Sequence, residues 1–524
     1  MAAQSAGYAP VQNNHGANEK ILFWGCFTAL VATAFGFIIR AMIIDQWGVE
    51  FGLTETQKGE IFGVGLWPFA VSIVLFSLVV DKVGYGKAMV FAFLCHVVSV
   101  ALTIMAKGYW SLYIAMFIAA LGNGTVEAVI NPVAATLFPR EKTKWLNILH
   151  AGWPGGLVLG GVLAIGMGDA KWEYKVALVL LPVAVYALLI IGRKFPIHER
   201  VAAGVSFKEM LAEAGILGAL LVSSLIVFEV GRVFEWTLAV KLIVIAVLTG
   251  AYGAYVQALG RPMFIFLLLI MIPLATTELG TDSWITTLME PEMKRLGLAA
   301  AWVLVYTSLI MMILRFFAGP IVHKLSPLGL LAVSAALAAV GLVALSKATG
   351  GMILVAATLY GFGKTFFWPT MLGVVSEQFP KGGALTLNTI GGVGMLSVGV
   401  IGAALLGNIQ DERIENALVA NHPQIHAEVV GDEKVSVFGT YRTLEPEKID
   451  KLSDEGKSVI EDIRGQEKKN ALMTVAIFPC IMLVCYLILI FYFKSKGGYK
   501  AEVLAGHGAE DEKFTGGTAG PGEG

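Results

Sequence analysis

Charged residues are scarce in this chain of 524 residues, because Asp, Glu, Lys and Arg make up only 15% of it. A soluble globular domain carries about 25% of such residues, so the composition argues against a soluble protein. The formal net charge of −1 gives no reason to expect nucleic acid as a partner. Cysteine is also rare, and the four cysteines lie in apolar runs without the spacing of a disulfide framework or a metal site.

Sequence motifs of catalysis are absent as well. The chain has no metal box, no nucleophile motif and no phosphate-binding glycine loop followed by lysine. His422 and His426 have a spacing compatible with zinc, but two ligands do not complete a structural zinc site. The sequence therefore predicts no enzyme activity, no cofactor and no bound metal.

Apolar residues, in contrast, make up 56% of the chain. A helix needs about 20 apolar residues to cross a bilayer. Runs of this kind begin near Ile21, Ile61, Ala88, Trp110, Asn147 and Tyr174, and again near Met263, Ala299, Leu328, Met352, Ala384 and Ala471. The sequence thus predicts an all-α integral membrane protein with two sets of six helices. The polar segment before Ile21 lacks the features of a signal peptide, so we expect the first run to remain as a transmembrane helix.

Two further apolar segments, Gly215 to Val230 and Trp236 to Val256, lie between the two sets. They predict an extra transmembrane hairpin and 14 spans in total; the alternative is one interfacial helix and one span. The hairpin is favoured because a single extra span would invert the second half. Before it, Ser206 and Glu209 have the spacing of a capping box that begins a short helix.

The basic residues of the loops predict the orientation in the membrane. One side of the first six helices holds four lysines: Lys58, Lys107, Lys171 and Lys175. The other side holds nine basic residues: Lys82, Lys87, Arg140, Lys142, Lys144, Arg193, Lys194, Arg200 and Lys208. We therefore expect the second side to be cytoplasmic, with both termini inside and the chain in the cell membrane (the inner one, where there are two).

These features divide the chain into seven predicted segments. They are a cytoplasmic tail (1–20), a six-helix bundle (21–194), the linker with the extra hairpin (195–262), five helices of a second bundle (263–407), an external charged insert (408–470), the last helix (471–493) and a disordered cytoplasmic tail (494–524). Because one chain holds both bundles, we expect a monomer.

The two halves repeat the same features about 240 residues apart. The fourth and tenth spans contain Gly122-Asn-Gly124 and Gly361-Phe-Gly363, followed by Leu137-Phe-Pro-Arg140 and Gln378-Phe-Pro-Lys381, and then by Leu146-Asn147 and Leu387-Asn388. The loops after the second and eighth spans also end alike. Two repeats in the same orientation suit alternating access around a site at the membrane midplane. We expect the loop residues to control the conformational change: Asp81, Lys82, Gly84, Lys87, Arg315, Gly319 and Lys324.

The loop from Asp81 to Lys87, with its weaker copy from Gly319 to Lys324, resembles the loop signature of the major facilitator superfamily. Within that superfamily, the string from Leu121 to Pro132 and the spacing of Glu278 and Trp284 resemble the fucose–galactose–glucose proton symporters. The resemblance implies secondary transport of a monosaccharide coupled to protons. It also implies that the fourth-span acid, Glu127, binds the proton.

Ionisable and polar residues inside the spans are the candidate site. A charge there costs at least ~2.5–3.5 kcal/mol, so such a residue usually faces a cavity or a partner. Glu127 is the predicted proton carrier, or else a carboxyl hydrogen-bonded to a neighbouring helix. The predicted substrate-binding residues are Asn131, Asn147, Thr277, Glu278, Thr281, Asp282, Trp284 and Arg40. Four of them occupy neighbouring positions on one face of the seventh span: Thr277, Glu278, Thr281 and Asp282. The alternative is that this cluster is simply the wet outer end of that span.

Two alternatives to a sugar symporter remain open. Arg40 and Arg315 can clamp an organic or inorganic anion such as a carboxylate or nitrate, because a guanidinium binds two oxygens. Arg315 can instead brace the end of the eighth span. The other alternative is a nutrient sensor that transports nothing and uses the external insert as its interaction module. The expected partners are a small-molecule substrate, protons and the lipid bilayer.

Overall fold

The computed structural model describes residues 16–504, except residues 54, 283–284, 286–288, 290–292, 299–300, 399–402 and 437–438. The first half contains α1 (Ala17–Phe51), α2 (Glu55–Gly63), α3 (Trp67–Val83), α4 (Tyr85–Ile104), α5 (Tyr109–Leu137), α6 (Lys142–His150), α7 (Gly152–Gly166), α8 (Trp172–Ala177) and α9 (Leu180–Ile190). The linker and the predicted extra hairpin contain α10 (Glu199–Ala202), α11 (Phe207–Val233) and α12 (Leu238–Val256).

The second half begins with α13 (Pro262–Ala275) and a π-helical turn (Thr276–Gly280). It continues with α14 (Ala301–Phe316), α15 (Ala318–Leu325), α16 (Pro327–Lys347), α17 (Met352–Lys364), α18 (Phe367–Gln378), a 3-10 turn (Pro380–Gly382) and α19 (Gly383–Ser397). The rest is formed by α20 (Ala403–Asn421), α21 (Pro423–Val429), β1 (Val430–Ser436), β2 (Gly439–Leu444), α22 (Pro446–Ile449), α23 (Asp454–Val475) and α24 (Ile477–Ser495).

Eleven helical segments of the described chain are long and apolar enough to cross a membrane. The number becomes 12 if α14 and α15, which are bent by 69° at their junction, form one span. Both α11 and α12 are among the 11. The predicted tenth span is divided into α17 and α18, and the predicted eleventh contains α19 of 15 residues, so neither is counted by length. The described residues thus form a multi-pass helical protein. Its 11 or 12 candidate spans are fewer than the 14 expected from the sequence.

The linker begins its helix at the predicted capping box. The Ser206 side chain accepts a hydrogen bond from the Glu209 N–H, and the Glu209 side chain accepts one from the Ser206 N–H. Helix α11 is kinked at Gly215, where φ is 58°. A Cβ at Gly215 would lie 2.0 Å from the backbone nitrogen of Gly260, so two glycines permit this close backbone contact. The kink separates a short helix from the long apolar part of α11.

The repeated glycines of the two halves lie where helices cross closely. A Cβ at Gly124 would lie 2.3 Å from the carbonyl oxygen of Phe69, and one at Gly363 would lie 2.3 Å from the nitrogen of Ala338. Small residues permit such close contacts in a bilayer, where dispersion and hydrogen bonds rather than a hydrophobic drive hold helices together. The halves then pack on one another through α3 against α19, α7 against α14, and α6 against α18.

Residues 403–475 form a small unit with its own core of Ile414, Leu418, Val429 and Ile460. It includes an antiparallel pair of strands, β1 and β2, in which Val430 faces Leu444. This pair of strands is an exception to the all-α fold that the other described residues form. Both strands are short and rich in charged or polar residues, so their alternation was too brief to distinguish them from a loop.

Candidate functional site

Among the described residues, three spans have helix breaks that meet around Arg315. Helices α6 and α7 meet at Ala151, α17 and α18 are separated by Thr365 and Phe366, and α13 continues into the π-helical turn. A proline follows two of these breaks within the first helical turn, Pro154 and Pro369, and Pro273 precedes the third. Proline lacks an N–H, so each break leaves backbone groups that need partners.

Arg315 of α14 supplies several of these partners. Its Nε donates to the carbonyl of Thr365 at 2.7 Å, and its Nη1 donates to the carbonyl of His150 at 2.8 Å. Its Nη2 forms an ion pair with Glu278 at 2.8 Å. The side chains of Arg315 and Glu278 are 1% and 2% exposed, so this pair is excluded from water. Because His150 lies in the first half, Arg315 joins the two halves.

Glu278 lies in the π-helical turn and uses its second oxygen to accept a hydrogen bond from the N–H of Trp368 at 3.0 Å. That N–H belongs to the first turn of α18, where the helix dipole favours a negative charge. The carbonyls of Thr365 and His150, in turn, lie at helix ends that favour the cation. π-Helical turns occur frequently at functional sites. The broken helices thus explain why a buried charge pair is stable at this position.

A second buried ion pair joins Lys364 at the end of α17 to Asp282. Lys364 also donates to Thr307 Oγ1 at 3.3 Å and lies over the ring of Tyr360, 5.4 Å from its centroid. The Tyr360 hydroxyl donates to the carbonyl of Thr277 at 2.7 Å. Lys364 and Asp282 both belong to the second half, so this ion pair lies within one half.

Glu127 lies buried in the first half on α5. Its carboxylate accepts a hydrogen bond from Asn131 Nδ2 at 2.7 Å, and Asn131 Oδ1 lies 2.8 Å from His150 Nε2. Since the carbonyl of His150 accepts from Arg315, a continuous row of contacts runs from Glu127 to Glu278. The row consists of Glu127, Asn131, His150, Arg315 and Glu278, and we call it the central chain.

The other predicted binding residues have partners within the protein or fall outside the described residues. Asn147 donates to Thr370 Oγ1 at 3.1 Å, another contact between the halves. Thr277 donates to the carbonyl of Pro273 at 2.7 Å, and Thr281 is buried. Trp284 lies outside the residues that the structure describes. The seventh-span cluster is thus not a solvent-exposed helix end, because four of its members are buried: Thr277, Glu278, Thr281 and Asp282.

Arg40 lies in a cavity of about 70 Å³ inside the first half, not beside Glu127 in the central chain. The side chain is buried and lies over the ring of Phe62, 4.6 Å from its centroid. No carboxylate whose side chain the structure describes pairs with Arg40. The side chain of Asp45 lies outside the described residues. A second cavity, of about 30 Å³, lies between the halves and includes Asp282.

One predicted gating residue, Arg315, lies in the central chain. The others lie at the predicted cytoplasmic end. Asp81 forms an ion pair with Arg200 of α10 and accepts a hydrogen bond from Tyr85 at 3.3 Å. Gly84 ends α3 with φ of 91°, a conformation that favours glycine. Lys82 lies over the ring of Phe207, 4.8 Å from its centroid, and it is exposed, as are Lys87 and Lys324. Gly319 packs on the Lys144 side chain, so the second loop contacts the first half.

Sequence reasoning missed a group of contacts at this end. Glu377 of α18 accepts hydrogen bonds from Thr143 Oγ1 at 2.6 Å and from Tyr499 at 2.7 Å. Its carbonyl accepts from the N–H of Glu502 at 2.7 Å, and Glu502 pairs with Arg261. We call Thr143, Glu377, Tyr499 and Glu502 the Glu377 cluster. It joins both halves to the segment after α24, and the only sequence signal was an acid directly before the repeated Gln378-Phe-Pro-Lys381 motif.

The model of the Major Facilitator Superfamily matches residues 25–405, which is well over half of the chain. The chain belongs to this superfamily. Its proteins are transporters of small molecules, so this member of the Major Facilitator Superfamily is a multi-pass membrane transporter, and no family of enzymes is indicated.

Solved structures of superfamily transporters have the same fold. The human organic anion transporter has a TM-score of 0.59 at 12% identity, covering 89% of this chain and 99% of its own. The E. coli fucose:proton symporter has a TM-score of 0.55 at 14% identity, covering 90% and 99%. The proton:xylose symporter has a TM-score of 0.56 at 13% identity, covering 90% and 95%. The sequence resemblance to sugar symporters is thus matched by a similarity of fold.

A gentisate transporter from Corynebacterium glutamicum is 23% identical over 161 residues. The match spans 30% of this chain and 36% of that relative. It therefore covers much less than two thirds of the relative's length, and it adds a carrier of an organic acid to the set of similar proteins.

Proposed function

We propose that this transporter is coupled to protons and that Glu127 carries the coupling proton. The observation that supports the proposal is the central chain, which connects a buried carboxylate of one half to an ion pair of the other. Among the described residues, Glu127 has Asn131 as its partner and no cationic side chain. A proton is therefore the natural neutralising charge for Glu127 within the bilayer.

The central chain also suggests how a proton affects the conformation. Protonated Glu127 no longer attracts the Asn131 amide as strongly, because hydrogen bonds to a charged acceptor are about twice as strong as neutral ones. Asn131 then reorients against His150, whose carbonyl is held by Arg315 of the other half. Proton binding in one half thereby weakens a contact between the halves, which alternating access requires.

Two substrate classes follow from different observations. The sequence resemblance and the fold of the fucose and xylose symporters support a monosaccharide. The contacts of the described residues support an anion instead. Glu278 and Asp282 are engaged by cations, whereas no acid with a described side chain pairs with Arg40. Arg315, the other cation considered for anion binding, is already neutralised.

The test is uptake into proteoliposomes under an imposed inward proton gradient. The panel contains labelled hexoses, deoxyhexoses, small carboxylates and nitrate, and it is run on wild type, Glu127→Gln and the exposed control Glu455→Gln. We expect gradient-driven uptake of one class by wild type and Glu455→Gln, and loss of the gradient effect in Glu127→Gln. Full coupling in Glu127→Gln would contradict the proposal. Signalling without any flux would instead support the nutrient sensor.

We further propose that α11 and α12 form the extra hairpin of a 14-span monomer with both termini in the cytoplasm. Support comes from their length and apolar composition and from the basic loops at one side. Under this arrangement the loop between them, which contains Glu235, is external. Glu235→Cys should react with an impermeant thiol reagent added outside intact cells, and Lys208→Cys should not.

A further inference from the structure

The cavity around Arg40 contains two buried hydrogen-bond donors that lack a partner among the described residues. Arg40 Nε and Trp47 Nε1 are both buried, and neither has a hydrogen-bond partner among the described residues. Arg40 is 7% exposed and Trp47 is 1% exposed. Both residues line the same cavity of about 70 Å³. An unmatched buried donor is costly, and an unmatched buried charge more so.

The other polar groups of this cavity are already engaged. Thr33, Ser99 and Thr103 donate to backbone carbonyls of their own helices. His96 lies 2.9 Å from Asn123 Oδ1 through Nε2 and 3.0 Å from the Tyr186 hydroxyl through Nδ1. The remaining wall is largely apolar, with Ile39, Phe69, Val100 and Val176 among its residues.

The two donors without a described partner and the apolar wall of the cavity determine which class of ligand fits it. Two donors, one of them cationic, require a ligand with a compact anionic acceptor, and the apolar wall requires an apolar body. A monosaccharide needs many matched donors and acceptors, which the engaged hydroxyls provide poorly. The cavity has room for about five waters, since one water needs roughly 10–15 Å³ on this measure. That volume suits an acid of the size of benzoate.

We propose that the Arg40 cavity binds the carboxylate of a small aromatic or similarly apolar monocarboxylic acid, which is the substrate. The inference rests on the proposed transport function and names its substrate class. The Arg40 guanidinium and the Trp47 indole N–H bind the carboxylate oxygens, and the apolar wall holds the ring.

The position of Arg40 depends on Gly65, which lies in the turn between α2 and α3. A Cβ at this position would lie 1.7 Å from Arg40 Nη1, so any side chain at residue 65 displaces the guanidinium. Phe37, Leu66 and Trp153 line both this cavity and the smaller one between the halves. They separate the Arg40 cavity from the interface between the halves, and movement of this wall gives the acid a path between them.

The test is binding of radiolabelled benzoate to the purified full-length protein, with benzamide as the neutral competitor of the same shape. We expect saturable benzoate binding that benzamide does not displace. Arg40→Gln should weaken benzoate binding at least about 30-fold, because the buried carboxylate of benzoate loses the guanidinium that neutralises it. Trp47→Phe should weaken it about 3- to 10-fold through one lost hydrogen bond. The exposed control Arg193→Gln should bind as wild type does.

Gly65→Ala provides a second variant that retains the charge. It should also weaken benzoate binding, even if Arg40→Gln folds poorly. Unchanged binding in both Arg40→Gln and Gly65→Ala would overturn the proposal, as would displacement by benzamide. Gradient-driven uptake of a sugar, without benzoate binding, would overturn this inference but leave proton coupling intact. If wild type takes up benzoate at a rate that does not depend on the proton gradient, proton coupling is contradicted and the substrate class is supported.

Discussion

Arg315 Nη1 donates a hydrogen bond of 2.8 Å to the main-chain carbonyl of His150, so a guanidinium of the second half binds the end of a broken helix in the first. The same guanidinium holds Glu278 and the carbonyl of Thr365. Lysine carries its three N–H donors on one nitrogen, so it cannot reproduce the planar guanidinium that reaches all three partners. Transport that separates the halves must break the contact with His150.

Arg315→Lys should therefore retain the charge yet reduce transport at least about tenfold, because the contact across the halves is lost. Arg315→Met should in addition destabilise the protein by about 3–5 kcal/mol, since Glu278 is left buried and unpaired. Initial uptake rates and thermal unfolding of the purified variants measure the two effects.

The double variant Arg315→Met with Glu278→Met is the matched control. Replacing both partners of a buried pair by apolar groups is often neutral for stability. The double variant should thus regain most of the stability lost by Arg315→Met and remain inactive. Recovery of transport in it would show that the pair is only structural.

Lys364 and Asp282 should be energetically coupled in a double-mutant cycle. Lys364→Met alone leaves Asp282 buried without its cation, and Asp282→Asn alone leaves Lys364 unpaired. We expect each single variant to lower the free energy of unfolding by about 3–5 kcal/mol and the double variant to lose less than the sum. Additive losses would mean that the two side chains stabilise the protein independently.

The sequence identified the individual residues of the central chain better than their contacts. Glu127 could be selected because a carboxylate inside an apolar run is costly, and Glu278 because of its polar neighbours. Their connection through Arg315 depends on how three broken helices pack, and no local pattern records that arrangement. The Arg40 cavity could not be predicted for the same reason, because no sequence motif marks Gly65 or Trp47 as neighbours of Arg40. The two halves were recognisable because the repeated glycines serve the same close packing in each.

The Glu377 cluster should slow opening of the predicted cytoplasmic end. Ser376→Cys places a thiol beside Glu377, at a position that is buried. Its reaction with a polar maleimide should become several-fold faster when Glu377→Gln or Tyr499→Phe is added, because either change removes hydrogen bonds between segments.

Tyr492→Phe is the control for the Tyr499 variant, because Tyr492 is exposed on α24. It should leave the maleimide rate unchanged. Equal rates in all the variants would show that the Glu377 cluster does not control access to this end.

His198 should make the protein less stable in mild acid. Burial lowers the pKa of His198 below 6.5, and its neutral Nδ1 accepts a hydrogen bond from the Arg200 N–H at 3.1 Å. A lowered pKa means that the unfolded chain binds the proton more readily. The stability due to neutral His198 is therefore complete above about pH 6.5 and declines as the pH falls through the lowered pKa.

His198→Asn tests this pH dependence, because asparagine keeps an acceptor at the start of α10 and does not titrate. Between about pH 8 and pH 5.5, the unfolding temperature of wild type should fall by about 1–2 °C more than that of the variant. The same pH dependence in both proteins would assign the effect to other groups.

The central claim is that Glu127 carries the coupling proton, and the most direct measurement compares two modes of transport in one variant. In proteoliposomes, Glu127→Gln should retain exchange of labelled for unlabelled substrate, because exchange needs no net proton movement. It should lose accumulation under an inward proton gradient, and substrate addition should no longer change the external pH. Accumulation and a pH change equal to those of wild type would contradict the account and place the coupling proton on another residue.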